Sequence, residues 1–64
     1  MRVDINKATL EQLLAITQIG QVRAEAIIDY RATNEFRDIY ELSAIRGIGQ
    51  KRLDAIVSEG VAYC

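Results

Sequence analysis

Ile45-Arg46-Gly47-Ile48-Gly49-Gln50-Lys51-Arg52-Leu53 is the stretch on which the fold turns. A short apolar segment ends in Gly-Ile-Gly, and a basic segment with helical spacing begins at once. Neither glycine carries a Cβ, so each can take positive φ or let another backbone come close. Ile48 between them reads as a buried pin that fixes the turn on the core. A helix opening at Gln50 leaves its first N–H groups without intrahelical partners, and its dipole puts partial positive charge there. An anion is the natural partner of such an end, and Lys51 and Arg52 add full charges to it.

The same pattern occurs twice. Sliding the sequence by 29 residues lays 9–28 over 38–57 with nine identities in twenty positions: Leu13/Leu42, Ala15/Ala44, Ile16/Ile45, Ile19/Ile48, Gly20/Gly49, Gln21/Gln50, Arg23/Arg52, Ala26/Ala55 and Ile27/Ile56. The chain is therefore two copies of one unit. Thr9 with Gln12, and Asp38 with Glu41, have the spacing of a capping box and predict short helices over about 9–16 and 38–45. Asn6 is an alternative or additional cap upstream. Leu10, Leu13 and Leu14, and then Ile39, Leu42 and Ile45, share a face in each copy. The second helices are expected over about 21–32 and 50–58. Ala24, Ile27, Ile28 and Arg31, and later Leu53, Ile56 and Val57, recur there at helical spacing, and small Ala26 and Ala55 permit close helix approach.

Residues 33–37 connect the copies, with Asn34 as a left-handed cap and Phe36 anchoring the linker to the core. Gly60 ends the last helix, and 61–64 reads as a frayed or loosely docked tail. Proline is absent and β-branched residues do not alternate with polar ones, so a sheet is not expected.

At 64 residues, half of them apolar, this is one small domain near the lower size at which a core stabilises a chain unaided. Four aromatics leave the core to Ile, Leu, Val and Ala, a composition suited to short, closely packed helices. The net charge of −1 and pI near 5.2 argue against a general nucleic-acid binder, but the charge is unevenly distributed. No acid stands between Glu41 and Asp54, where Arg46, Lys51 and Arg52 surround the glycine turn, so one basic end is expected. The single cysteine, Cys64, allows no intramolecular disulfide and reads as an exposed free thiol. No targeting or transmembrane run is visible. There is no His, no zinc-ligand spacing and no Walker-type loop, so an enzyme is not expected.

Residues 41–57 resemble the helix-hairpin-helix motif, in which an apolar-Gly-apolar-Gly turn joins two short helices and holds a nucleic-acid phosphate. Residues 3–57, including Val3-Asp4-Ile5-Asn6-Lys7-Ala8-Thr9, resemble the tandem helix-hairpin-helix domain of the ComEA family of competence DNA receptors. The resemblance implies an all-α fold, a compact bundle of four to five short helices forming two motifs about a pseudo-twofold, in the SAM-like class of the second RuvA domain. It implies one domain over 1–64, with a first motif at about 9–28, a linker at 33–37, a second motif at about 38–57 and a tail at 60–64.

By the same resemblance the partner is DNA, double-stranded and bound without sequence preference across the minor groove, as in DNA uptake or repair. The implied phosphate site of the second hairpin is Gly47, Ile48, Gly49, Gln50, Lys51 and Arg52, and that of the first is Gly20, Gln21, Val22 and Arg23. The first hairpin departs from the pattern twice. Gln18 replaces the first glycine, which predicts strain or a different turn, and Val22 stands where the second copy has Lys51, so weaker binding is expected there. A bulky residue at Gly49 is expected to impair both folding and binding. Potassium or sodium at hairpin carbonyls is a further implication of the family. Location follows context: cytoplasmic for a free-standing chain, periplasmic or cell-surface for part of an anchored ComEA-like protein. A longer parent chain or a protein partner would add avidity. The alternative is a structural or protein-interaction module of the same fold.

Overall fold

Both glycine turns are followed by the two longest helices, as the repeat requires. In the computed structural model, which describes residues 2–64, the elements run β1 (Val3–Asp4), α1 (Leu10–Leu13), α2 (Gln21–Arg31), a 3₁₀ helix (Ile39–Ala44), α3 (Gln50–Glu59) and β2 (Ala62–Tyr63). The architecture is thus all-α in substance, four helices in two helix-turn-helix units. Equivalent positions of the repeat supply most of the core: Leu13 and Leu42, Ile16 and Ile45, Ile19 and Ile48, Ala24 and Leu53, Ile27 and Ile56 are all buried. Among the described residues no polar or charged residue as a whole is buried with them.

The first helix of each unit is shorter and tighter than expected. Thr9 closes the capping box, its Oγ1 accepting from the Gln12 N–H at 3.2 Å while Gln12 Oε1 accepts from the Thr9 N–H at 2.9 Å. Beyond Leu13 the chain continues with i→i−3 bonds, from the Ala15 and Ile16 N–H groups to the Gln12 and Leu13 carbonyls. In the second unit the whole element is a 3₁₀ helix. Asp38 Oδ1 accepts from the Tyr40 N–H, and Glu41 Oε1 from the Arg37 N–H, so the box is displaced from its expected partners. Six residues containing Ile39, Tyr40 and Ser43 have little intrinsic drive to form a wider α-helix, and Ile45 must already leave in extended conformation. Leu14 and Val57, expected on the apolar face, are instead 40% and 38% exposed.

Three expectations for the segments outside the repeat are corrected. Asn6 does not cap a helix: its Nδ2 donates to the Phe36 carbonyl and its Oδ1 accepts from the Phe36 N–H, both at 2.9 Å, which ties the start of the chain to the linker. Asn34 is not left-handed; α2 ends at Ala32 in right-handed conformation, with the Asn34 N–H bonded back to Tyr30. The tail is not frayed. After Gly60, at φ 74°, β2 pairs in parallel with β1, and the Val3 and Ile5 N–H groups donate to the Val61 and Tyr63 carbonyls at 2.7 and 2.9 Å. The pairing is too short for any sequence periodicity to announce it.

Phe36 does anchor the linker, 1% exposed, with its ring 4.7 Å from that of Tyr30. Arg31, at the end of α2, donates to the carbonyls of Ile5 at 2.9 Å and Ala8 at 2.6 Å. The entry segment is thereby clamped to both the linker and the end of α2.

Candidate nucleic-acid interface

The backbone of the two turns is nearly the same. Gln18 takes φ 66° where Gly47 takes φ 93°, and Gly20 (φ −99°, ψ −170°) matches Gly49 (φ −89°, ψ −172°). Of the two expectations for the first turn, a different turn is not found: Gln18 keeps the turn by entering the left-handed region, the strained alternative. Tertiary context over-determines the turn, because Ile16 and Ile19 on either side of it are locked in the core.

Ile48 is the pin that its position suggested. It is 3% exposed, and its N–H donates to the Ile45 carbonyl at 3.0 Å, so neither its side chain nor its amide faces outward. Ile19 does the same in the first turn through Ile16. Ile48 is accordingly removed from the set that faces a ligand.

What remains outward is the start of α2 and of α3. Thr9 and Asp38 cap the first helix of each unit, yet no side chain caps α2 or α3, whose N-cap residues are Gly20 and Gly49. The Gln21 and Gln50 side chains, which stand at the right place to interfere, are drawn along their helices to Glu25 and Asp54, each at 2.7 Å. The first-turn N–H groups of two helices are thus left for an outside acceptor.

Neither Gly20 nor Gly49 has positive φ, and a Cβ built on either would meet nothing within 4 Å. No internal contact demands glycine at these positions. At Gly49 a side chain as small as alanine's therefore meets no obstacle to folding.

Arg23 does not remain at its own turn. Its guanidinium crosses to the second hairpin, where a Cβ on Gly47 would lie 3.1 Å from Arg23 Nε, and that Nε is buried with no hydrogen-bond partner among the described residues. Gln18, in turn, lines a hollow with Lys51, Arg52 and Ala55 of the second unit. Each turn therefore leans on the other unit, the reciprocal relation a pseudo-twofold demands. Local spacing does not reveal either contact.

The charge is asymmetric. Gly47, Gln50, Lys51 and Arg52 are exposed together with Arg46, and Arg52 Nη1 donates to the Gly47 carbonyl at 3.1 Å. At the first turn Val22 is 80% exposed in place of Lys51, and Glu59 Oε1 accepts from the Thr17 N–H at 2.9 Å, which brings an acid close by.

Among the described residues no helix is long and apolar enough to cross a membrane, and no group of three His, Cys, Asp or Glu side chains is gathered as for a metal. A family model described as the helix-hairpin-helix motif matches residues 1–59. Over 57 residues the chain is 46% identical to "ComE operon protein 1" of Bacillus subtilis, a match that takes in 88% of this chain and 28% of that protein. Over 60 residues it is 47% identical to a protein named "Deoxyribonuclease" from Thioalkalivibrio, covering 94% of this chain and 16% of the relative. A 39% match over 56 residues, 86% of this chain and 10% of the relative, links it to "Endonuclease/exonuclease/phosphatase family domain-containing protein 1" of Rattus norvegicus. The chain spans less than a third of the length of each of these relatives.

Proposed function

The chain belongs to the helix-hairpin-helix family, as a ComEA-like domain, and from that membership we propose that it binds double-stranded DNA without sequence preference. Main-chain N–H groups of Gly49, Gln50 and Lys51 hold a phosphate at the second turn, and those of Gly20, Gln21 and Val22 hold one at the first. One observation carries this reading: the two helices that follow the glycine turns are left uncapped, behind glycines that nothing inside the protein requires. Phosphate is the anion that helix starts of this kind accept, and two related turns suit two antiparallel strands.

Side-chain chemistry supports the same conclusion. Among the described residues no exposed helix presents an array of Asn, Gln or Arg suited to base edges, so the contacts position and do not read. The second turn, with Lys51 and Arg52, is the stronger of the two. Two of the longer relatives are named for nuclease chemistry, "Deoxyribonuclease" and "Endonuclease/exonuclease/phosphatase family domain-containing protein 1". Here the domain supplies grip, and any cleavage would come from other parts of a parent protein.

The test is anisotropy of a labelled mixed-sequence duplex, titrated at about 50 and 200 mM potassium chloride beside a scrambled duplex. With three to five phosphates neutralised, log K against log salt should slope at about −3 to −4.5, with affinity on the order of 10⁻⁴ to 10⁻⁶ M at physiological salt. Equal affinity for the two sequences is expected. Absence of binding at low salt would leave the fold as a scaffold for protein contacts.

A further inference from the structure

Gln18 occupies a conformation that its counterpart shows to be better suited to glycine. At φ 66° it is the non-glycine residue with positive φ among the described residues, and the equivalent position of the second unit is Gly47. An L side chain in the left-handed region is held there at an energetic cost.

The two sides of the pseudo-twofold differ. On the Gly47 side, Arg23 lies down against the turn, where its Nε approaches to 3.1 Å of the place a Cβ would take, and the space is closed. Gln18 carries that Cβ on the other side. There the equivalent arginine, Arg52, turns to its own Gly47 carbonyl at 3.1 Å instead, and a hollow of about 300 Å³ stays open between Gln18, Lys51, Arg52 and Ala55. The hollow is lined by two cations, a primary amide and small Ala55. It spans the junction of the two hairpins.

Resting on the DNA-binding reading, we infer that this hollow is a third phosphate site, at which the phosphodiester next along the strand gripped at the second turn is held by the Gln18 amide, Lys51 and Arg52. The amide Nε2 donates to a phosphate oxygen. Arg52, steadied through Nη1, has other N–H groups for the same anion, and Lys51 adds a compact charge. Gln18 has two effects: its Cβ keeps Arg52 from closing the hollow as Arg23 closes the other, and its amide takes part in the contact.

Anisotropy titrations and thermal melts of the wild type, Gln18→Gly, Gln18→Ala and Gly49→Ala decide the matter. Gln18→Gly removes both amide and Cβ. It should bind duplex about tenfold more weakly, the order expected for a lost hydrogen bond to a charged group, without a lower melting temperature. Its salt slope should be shallower by about 0.9, one phosphate contact, as Arg52 folds onto the turn. Gln18→Ala leaves the hollow open but lacks the amide, and it should weaken binding while keeping the wild-type slope. Wild-type affinity in both variants, beside a weakened Gly49→Ala, would overturn the third site and leave the turn-directed grip standing. Failure of the wild type to bind any duplex would overturn both.

Discussion

At Gly49 the backbone has φ −89° and ψ −172°, values any residue can adopt, and open space lies where a side chain would begin. Gly49→Ala should therefore fold, losing at most about 1 kcal/mol through the poorer N-cap. Duplex affinity should fall by more than about tenfold, because a methyl group would stand between the phosphate and the N–H groups. Melting curves beside anisotropy separate the two effects, and a variant that folds and binds normally would remove this turn from the interface. Val22 permits the converse experiment. It is 80% exposed at the position where Lys51 stands in the second unit, so Val22→Lys should tighten binding and steepen the salt slope by about 0.9 if it meets a phosphate. An unchanged slope would mean that the first turn holds no strand. Lys51→Glu with Arg52→Glu should spare the buried core, to which neither belongs, and abolish binding.

Among the elements, the link between the entry segment and the linker is the one that local reasoning misplaced. Asn6 satisfies both backbone groups of Phe36, and Asn6→Ala would strand a donor and an acceptor at once. A loss of about 2–3 kcal/mol is expected in urea unfolding. The loss should come without any change in DNA contacts, since Asn6 lies away from the turns. A loss below about 0.5 kcal/mol would show that water replaces the amide freely. The docked tail has its own signature. Burial first, and then the charges of Asp38, Asp4, Glu41 and Glu35, push the Cys64 thiol above its usual range. The folded state thus favours the protonated thiol, a contribution complete below the unfolded pKa and lost as pH rises through the higher folded one. Iodoacetamide should alkylate Cys64 more slowly in the native protein than in the urea-unfolded chain at the same alkaline pH. Equal rates would mean that the tail is not held.

For the molecule as a whole, the small core sets the tolerance. A domain of this size has about 3–5 kcal/mol of stability from its core, and Phe36→Ala alone is expected to cost about 3–5 kcal/mol. The variant should be largely unfolded by circular dichroism at ordinary temperature. Five equivalent pairs from the two units fill most of that core, so the repeat builds the scaffold while differences between the copies shape the surface. The basic end follows from those differences: Arg23 leaves the first turn for the second, and Glu59 approaches the first.

Much of this could be read along the chain. The 29-residue repeat, the buried Ile19 and Ile48, the helix starts at Gln21 and Gln50, the Thr9 cap and the stop at Gly60 all express local propensity or periodicity, which neighbouring residues decide among themselves. Other features depend on groups distant in sequence. The left-handed Gln18 is held by a core that overrides its preference, Arg23 finds Gly47 across the pseudo-twofold, Asn6 meets Phe36 thirty residues away, and two-residue strands pair the chain ends. By itself the sequence determined two uncapped helices behind two apolar-pinned turns. Only the tertiary structure decided which side of their junction is open, because that depends on where two equivalent arginines lie once the units have packed.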